Sequence, residues 1–231
     1  MRTALQYISW LVGFPLNLLV IAALLRGAYR RFPAVLAYSV ALILTGVVEV
    51  AAYQGYFSGV HLAFSPARYY WLDEGIRQSL LFAVVISLLY HATSSVRSRA
   101  LVRVGLIVAA VLFAGVSLLI HYDGQAPISR WMTQWTRDLN FGSALLDMAL
   151  WAILIATRRY EWTVLMLSGA LGIQFTGEAI GQALRNQFPS NTTVADVLNV
   201  AANWACPYIW WQVFRASPEG KPSVAARSPH S

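Results

Sequence analysis

The acidic residues of this chain are rare, and their positions make them the first candidates for chemistry. Only ten Asp and Glu occur among 231 residues, of which 58% are hydrophobic. Glu49, Asp147 and Glu178 lie inside long apolar runs, where an ionised group costs about 2.5–3.5 kcal/mol in lipid and is functional by default. Carboxylates can bind a cation or a polar solute, although holding neighbouring helices together is the alternative role.

A second set of polar residues lies at the starts of apolar runs or on the same helical faces as the deep carboxylates. Asp73, Glu74 and Arg77 open the third run, where helix capping and pairing one turn apart are the competing interpretation. Polar stripes at the 3.6-residue period mark faces turned away from lipid. We therefore predict one ligand-binding site. Its residues are Glu49, Asp73, Glu74, Arg77, Asp147, Gln174, Glu178, Asp196, Asn199 and Asn203.

A metal site is a weaker hypothesis from the same region of the chain. His121, Asp123, Glu49 and Glu178 could supply mixed nitrogen and oxygen ligands near one surface. No ligand spacing within one helix supports such a site. We identify no catalytic residues and expect no cofactor, so an enzyme is the less favoured class.

Missing residues exclude two families of membrane proteins. A retinal protein needs a Schiff-base lysine in its last helix, whereas Lys221, in the tail, is the only lysine of this chain. Membrane hydrolases with an HxxxH pair need two histidines four residues apart. The histidines here are His61, His91, His121 and His230, and no two of them have that spacing.

The elements that must position these residues are seven apolar runs, each about as long as a membrane is thick. Charged residues make up 12% of the chain, about half the share in soluble domains. We predict an all-α polytopic membrane protein with a seven-helix transmembrane bundle over 1–214 and a disordered cytoplasmic tail over 215–231. The predicted helices are 5–25, 32–53, 69–91, 101–122, 138–156, 162–184 and 195–214.

The basic residues predict the orientation of this bundle. Of seventeen Lys and Arg, eleven follow the first, third and fifth runs or lie in the tail. By the positive-inside rule this side is cytoplasmic, which places the N-terminus outside and the C-terminus inside the cell membrane. Eight acidic residues then lie in or above the outer leaflet. The expected partners are the lipid bilayer and a small molecule or ion, not nucleic acid, with a membrane partner or a second copy left open.

Local patterns add predictions about individual helices. Ile128, Trp131, Met132 and Trp135 share one face and predict a short helix in the outer headgroup plane, or an aromatic-belt loop. The pair Gly177 and Gly181 predicts close packing of the sixth helix on a neighbour. Similar features in helices one to three and five to seven leave open a parallel repeat with the fourth helix as linker.

Three functions remain from the sequence. The first is binding or transport of a small polar or cationic solute through an outward-facing acidic cavity. The second is a sensory or regulatory subunit that acts on a separate partner through the inner loops, for example through Arg158 and Arg159. The third is an intramembrane metal-dependent enzyme.

Overall fold

The apolar runs form long helices. The computed structural model describes residues 2–57, 66–93, 99–123, 128–157, 161–188 and 192–216. These ranges are all-helical, without a strand. The sequence predicts the tail from residue 215, but Arg215 and Ala216 are the last residues of the seventh helix, and the rest of the tail lies outside the described ranges, as do Arg158 and Arg159. The elements are α1 (Arg2–Leu25), a 3₁₀ turn (Ala28–Arg30), α2 (Pro33–Phe57), α3 (Pro66–Ala92), α4 (Arg99–His121), α5 (Ile128–Thr157), α6 (Trp162–Gln187) and α7 (Thr193–Ala216).

Among the described residues, five helices are long and apolar enough to cross a membrane. These segments are Tyr7–Leu25, Pro33–Ala51, Trp71–Ala92, Arg130–Ile155 and Trp162–Arg185. Large apolar side chains cover their outer surfaces and that of α4, with Leu11 and Leu119 each more than 75% exposed. Helices with apolar exteriors of this length are typical of a membrane protein.

Helix α5 begins ten residues before the predicted start of the fifth segment. The prediction of a separate headgroup helix is wrong, because Ile128–Thr157 is one continuous helix. Met132 is buried in its first turns, and the Trp135 indole donates a hydrogen bond to the Ala114 carbonyl of α4 at 3.2 Å. These side chains pack against neighbouring helices.

Five helices form a closed ring, and two lie outside it. Around the ring α1 contacts α2, α2 contacts α3, α3 contacts α6, α6 contacts α7, and α7 returns to α1. Helix α5 packs on α3 and α6 from outside, and α4 packs mainly on α5. The ring thus takes all of the first three helices but only α6 and α7 of the last three.

The two ends of the ring differ in charge and in packing. We call the end with Glu49, Glu74 and Asp196 the acidic end, and the opposite end, with Arg31 and Arg215, the basic end. The largest hydrophobic cluster occupies the half towards the basic end. It includes Val20, Leu24, Phe32, Val35, Leu81, Val84, Val85, Leu88, Leu150, Leu154, Val164, Leu167, Trp210, Val213 and Phe214. Dense apolar packing therefore closes the ring on the basic side.

Close packing of α6 on α7 stabilises the wall of the ring. A Cβ atom added to Gly177 would lie 2.3 Å from the Cβ of Ala202, and one added to Gly181 would lie 3.3 Å from the Ala195 carbonyl oxygen. Without a shift of the helices only glycine fits at position 177, whereas the approach at Gly181 is tight. The close contact predicted from the two glycines is confirmed, and α7 is the partner.

Candidate functional site

A chamber of about 190 Å³ lies inside the ring between the basic-side core and the acidic end. We call it the inner chamber. All five ring helices contribute to its wall. The polar lining residues are Ser9, Asn17, Tyr38, Thr45, Glu49, Asp73, Arg77, Gln174 and Asn203. Polar residues of α1, α2, α3, α6 and α7 therefore share one interior, whereas no described side chain of α5 lines it.

A second chamber of about 690 Å³ adjoins the first among the helix ends of the acidic side. We call it the outer chamber. The two chambers share Ser9, Trp10, Glu49, Asp73 and Arg77, so these residues lie at their junction. The outer chamber adds Glu74, Arg185, Asp196 and Asn199 to the polar lining.

Two ion pairs hold the guanidinium groups of the outer chamber. Arg77 bonds Glu74 at 2.6 Å, one turn apart on α3, as the sequence spacing predicts. Arg185 of α6 bonds Asp196 of α7 at 2.8 Å. Four carboxylates and two guanidinium groups line this chamber. The lining is therefore negatively charged when all of them are ionised.

Glu178 lies one hydrogen bond behind the wall of the inner chamber. Its carboxylate accepts hydrogen bonds from Asn140 of α5 at 2.8 Å and from Gln174, one turn earlier, at 3.3 Å. The same Gln174 amide nitrogen lies 3.1 Å from Asn203 Oδ1 and 3.5 Å from the Tyr38 hydroxyl. Gln174 therefore connects the buried carboxylate to two lining residues.

Asp147 lies apart from both chambers. Its carboxylate accepts a hydrogen bond from Ser168 of α6 at 2.5 Å and is 4% exposed. No described side chain of α5 lines either chamber. Of the ten predicted site residues, the structure places eight in the chamber walls, Glu178 just behind them, and Asp147 at the α5–α6 contact.

The four weak metal candidates do not come together. His121 of α4 lies 2.9 Å from Asp138 of α5, which also accepts a hydrogen bond from Ser117 at 2.8 Å. Glu49 lies in the chamber wall. Within the ranges that the structure describes, no group of three His, Cys, Asp or Glu side chains could hold a metal ion.

Aromatic side chains form much of the inner chamber, and of these only Tyr38 belonged to a predicted polar stripe. They are Trp10, Phe14, Tyr38, Trp204 and Trp210. A usable signal was present, since Trp10 and Phe14 follow Ser9 and Gly13 on α1. Trp204 likewise follows Asn203 on α7, beside the kink-prone Pro207 that also lines the chamber.

Five buried side-chain polar atoms of the described residues have no hydrogen-bond partner, and three of them belong to residues that line the chambers. These three are Asp73 Oδ1, Asn199 Oδ1 and the Trp204 indole nitrogen, whereas Ser39 Oγ and Gln78 Nε2 lie elsewhere. Leaving a buried polar atom without a partner costs about 1–3 kcal/mol, so a ligand or water that reaches one of these atoms is stabilised there. Two of the three are hydrogen-bond acceptors.

In the comparisons with known proteins, no family model, no curated protein and no solved structure matches the chain.

Proposed function

We propose that the chain is a seven-span protein of the cell membrane, with its N-terminus outside and its C-terminus in the cytoplasm. The excess of basic residues in alternate loops supports this orientation. Helix α7 is not among the five helices that are apolar enough to cross a membrane, because it carries the polar residues Asp196, Asn199 and Asn203, which line the chambers. In this orientation the acidic end faces outward.

We propose that the two chambers bind a small polar or cationic solute from outside. The observation that carries this proposal is the convergence of carboxylates from α2, α3 and α7 on one interior. In a membrane-spanning helix, a charged side chain is tolerated only where it faces other protein groups or water. The apolar core on the basic side makes the interior a blind site, open at the acidic end.

Ligand stabilisation of purified protein tests this proposal. A solute that binds only the folded state raises stability by about 2.7 kcal/mol at a hundred times its Kd. We expect a thermal-unfolding screen of ions, amines, sugars and amino acids to find such a solute. Glu49→Gln and Asp73→Asn should each abolish the stabilisation, because both remove a lining carboxylate.

Glu161→Gln is the matched control for these variants. Glu161 is exposed at the basic end, where it bonds Arg31 at 2.8 Å. The same loss of a carboxylate there should leave ligand stabilisation unchanged. Full stabilisation in both chamber variants would refute the proposal.

Transport and sensing differ in whether the apolar core must open. Transport requires the core to open towards the cytoplasm, whereas a sensory subunit can remain closed and act on a partner. Uptake of the stabilising solute into proteoliposomes separates the two. Binding without uptake would favour the sensory alternative.

A further inference from the structure

The wall of the inner chamber combines aromatic rings with carboxylates. Trp10, Phe14, Trp204 and Trp210 line the same space as Glu49. Aromatic faces attract cations, and indole does so most strongly. An inorganic ion would keep its hydration shell or seek oxygen ligands, whereas an ion with an apolar part also gains contact with the rings.

The charges around the chambers favour a cation. Arg77 and Arg185 each bond a carboxylate, which offsets the positive charge of both guanidinium groups. Carboxylates outnumber these two groups by two in the outer chamber. Although four carboxylates line this chamber, no three His, Cys, Asp or Glu side chains of the described ranges lie close enough together to hold one metal ion.

The buried polar atoms without a hydrogen-bond partner favour a cation that carries N–H groups. Asp73 Oδ1 and Asn199 Oδ1 are buried acceptors without a donor. A quaternary ammonium ion cannot supply one, whereas a protonated amine can. The inner chamber holds about six water molecules at ~30 Å³ each, which suits a small organic ion.

We propose that the chambers select a small organic ammonium ion, a primary or secondary amine in its protonated form. This inference rests on the proposed function and names its ligand class. The ammonium group donates to Asp73 at the junction of the chambers. The carbon chain lies in the inner chamber against Trp204 and Trp210.

Four probes of similar size or charge test this class on the full chain in lipid nanodiscs. Propylammonium has charge, N–H donors and a carbon chain; 1-propanol lacks the charge, tetramethylammonium lacks the donors, and potassium lacks the carbon. With sodium chloride as background, we expect propylammonium to raise the unfolding temperature most. Calorimetric titration should then give its Kd.

Two substitutions locate the binding. Asp73→Asn should weaken propylammonium binding about tenfold or more, because the acceptor of the ammonium hydrogen bond loses its negative charge. Trp204→Leu should weaken it several-fold through the loss of the indole. Trp162→Leu is the matched control, since Trp162 is 65% exposed near the basic end, and it should leave the Kd unchanged.

The probe comparison uses the unmodified protein, so a variant that fails to fold does not prevent the test. An equal shift with 1-propanol or potassium, or a larger one with tetramethylammonium, would overturn this ligand class. So would no shift with any of the four probes. In each case the wider solute screen decides separately whether the chambers bind a polar solute at all.

Discussion

At the scale of single residues, Asn140 is the side chain of the buried hydrogen-bond network around Glu178 that is hardest to replace. It lies on α5, outside the ring, and its amide donates to Glu178 across the helix contact at 2.8 Å. Glu178 is 8% exposed, so water cannot replace that donor without opening the packing. A buried acceptor left unmet costs the full desolvation of the group.

We expect Asn140→Ala to lower the free energy of unfolding by about 1–3 kcal/mol. Gln134→Ala, at an exposed position of the same helix, should change it by less than about 0.5 kcal/mol. Denaturant titration in detergent measures both. Equal effects of the two variants would show that the bond to Glu178 adds nothing to stability.

The polar site residues could be predicted because lipid penalises them at every outward-facing position. That argument places Glu49 and Asp73 in an interior, but it does not say which interior. Asp147 obeys the same penalty by bonding Ser168 at another helix contact. The aromatic wall could not be predicted this way, because a ring such as that of Trp204 is stable facing lipid or a cavity.

At the scale of elements, Gly177 sets how closely α6 approaches α7. An alanine methyl group there would overlap the Ala202 side chain. The helices would have to separate, and both carry lining residues. The wall of the chambers therefore depends on the contact between Gly177 and Ala202, although neither residue lines a chamber.

We expect Gly177→Ala to destabilise the fold by about 1–3 kcal/mol through overpacking. Gly105→Ala on α4 is the matched control, because nothing lies within 4 Å of the added Cβ atom. There the replacement should be neutral or slightly stabilising, since alanine favours helix. Thermal unfolding of the two variants under one condition makes the comparison, and destabilisation by both alike would count against the close contact.

The positions of the helices could be predicted from apolar length, but their arrangement could not. Each of the seven helices coincides with a predicted run, except that α5 extends to Ile128. Which helices form the ring depends on apolar faces, and in lipid an apolar face has the same pattern whether it meets a neighbour or a lipid chain. The exclusion of α5 from the ring follows from packing alone.

At the scale of the whole molecule, polarity changes along the axis of the ring. Carboxylates and two chambers occupy the acidic half, and the packed core occupies the basic half. A solute entering at the acidic end meets charge first, then aromatic walls, then an apolar floor. We infer that this order describes a binding site with access from one side.

The most direct measurement is the sidedness of chemical access to the chambers. In a Cys206→Ser background, Ser9→Cys places a thiol at the chamber junction, and Trp162→Cys places one near the basic end. We predict that a membrane-impermeant thiol reagent applied to intact cells labels the first variant and not the second. A solute that binds the chambers should slow this labelling. Labelling of the Ser9 variant only from the cytoplasmic side would contradict the account.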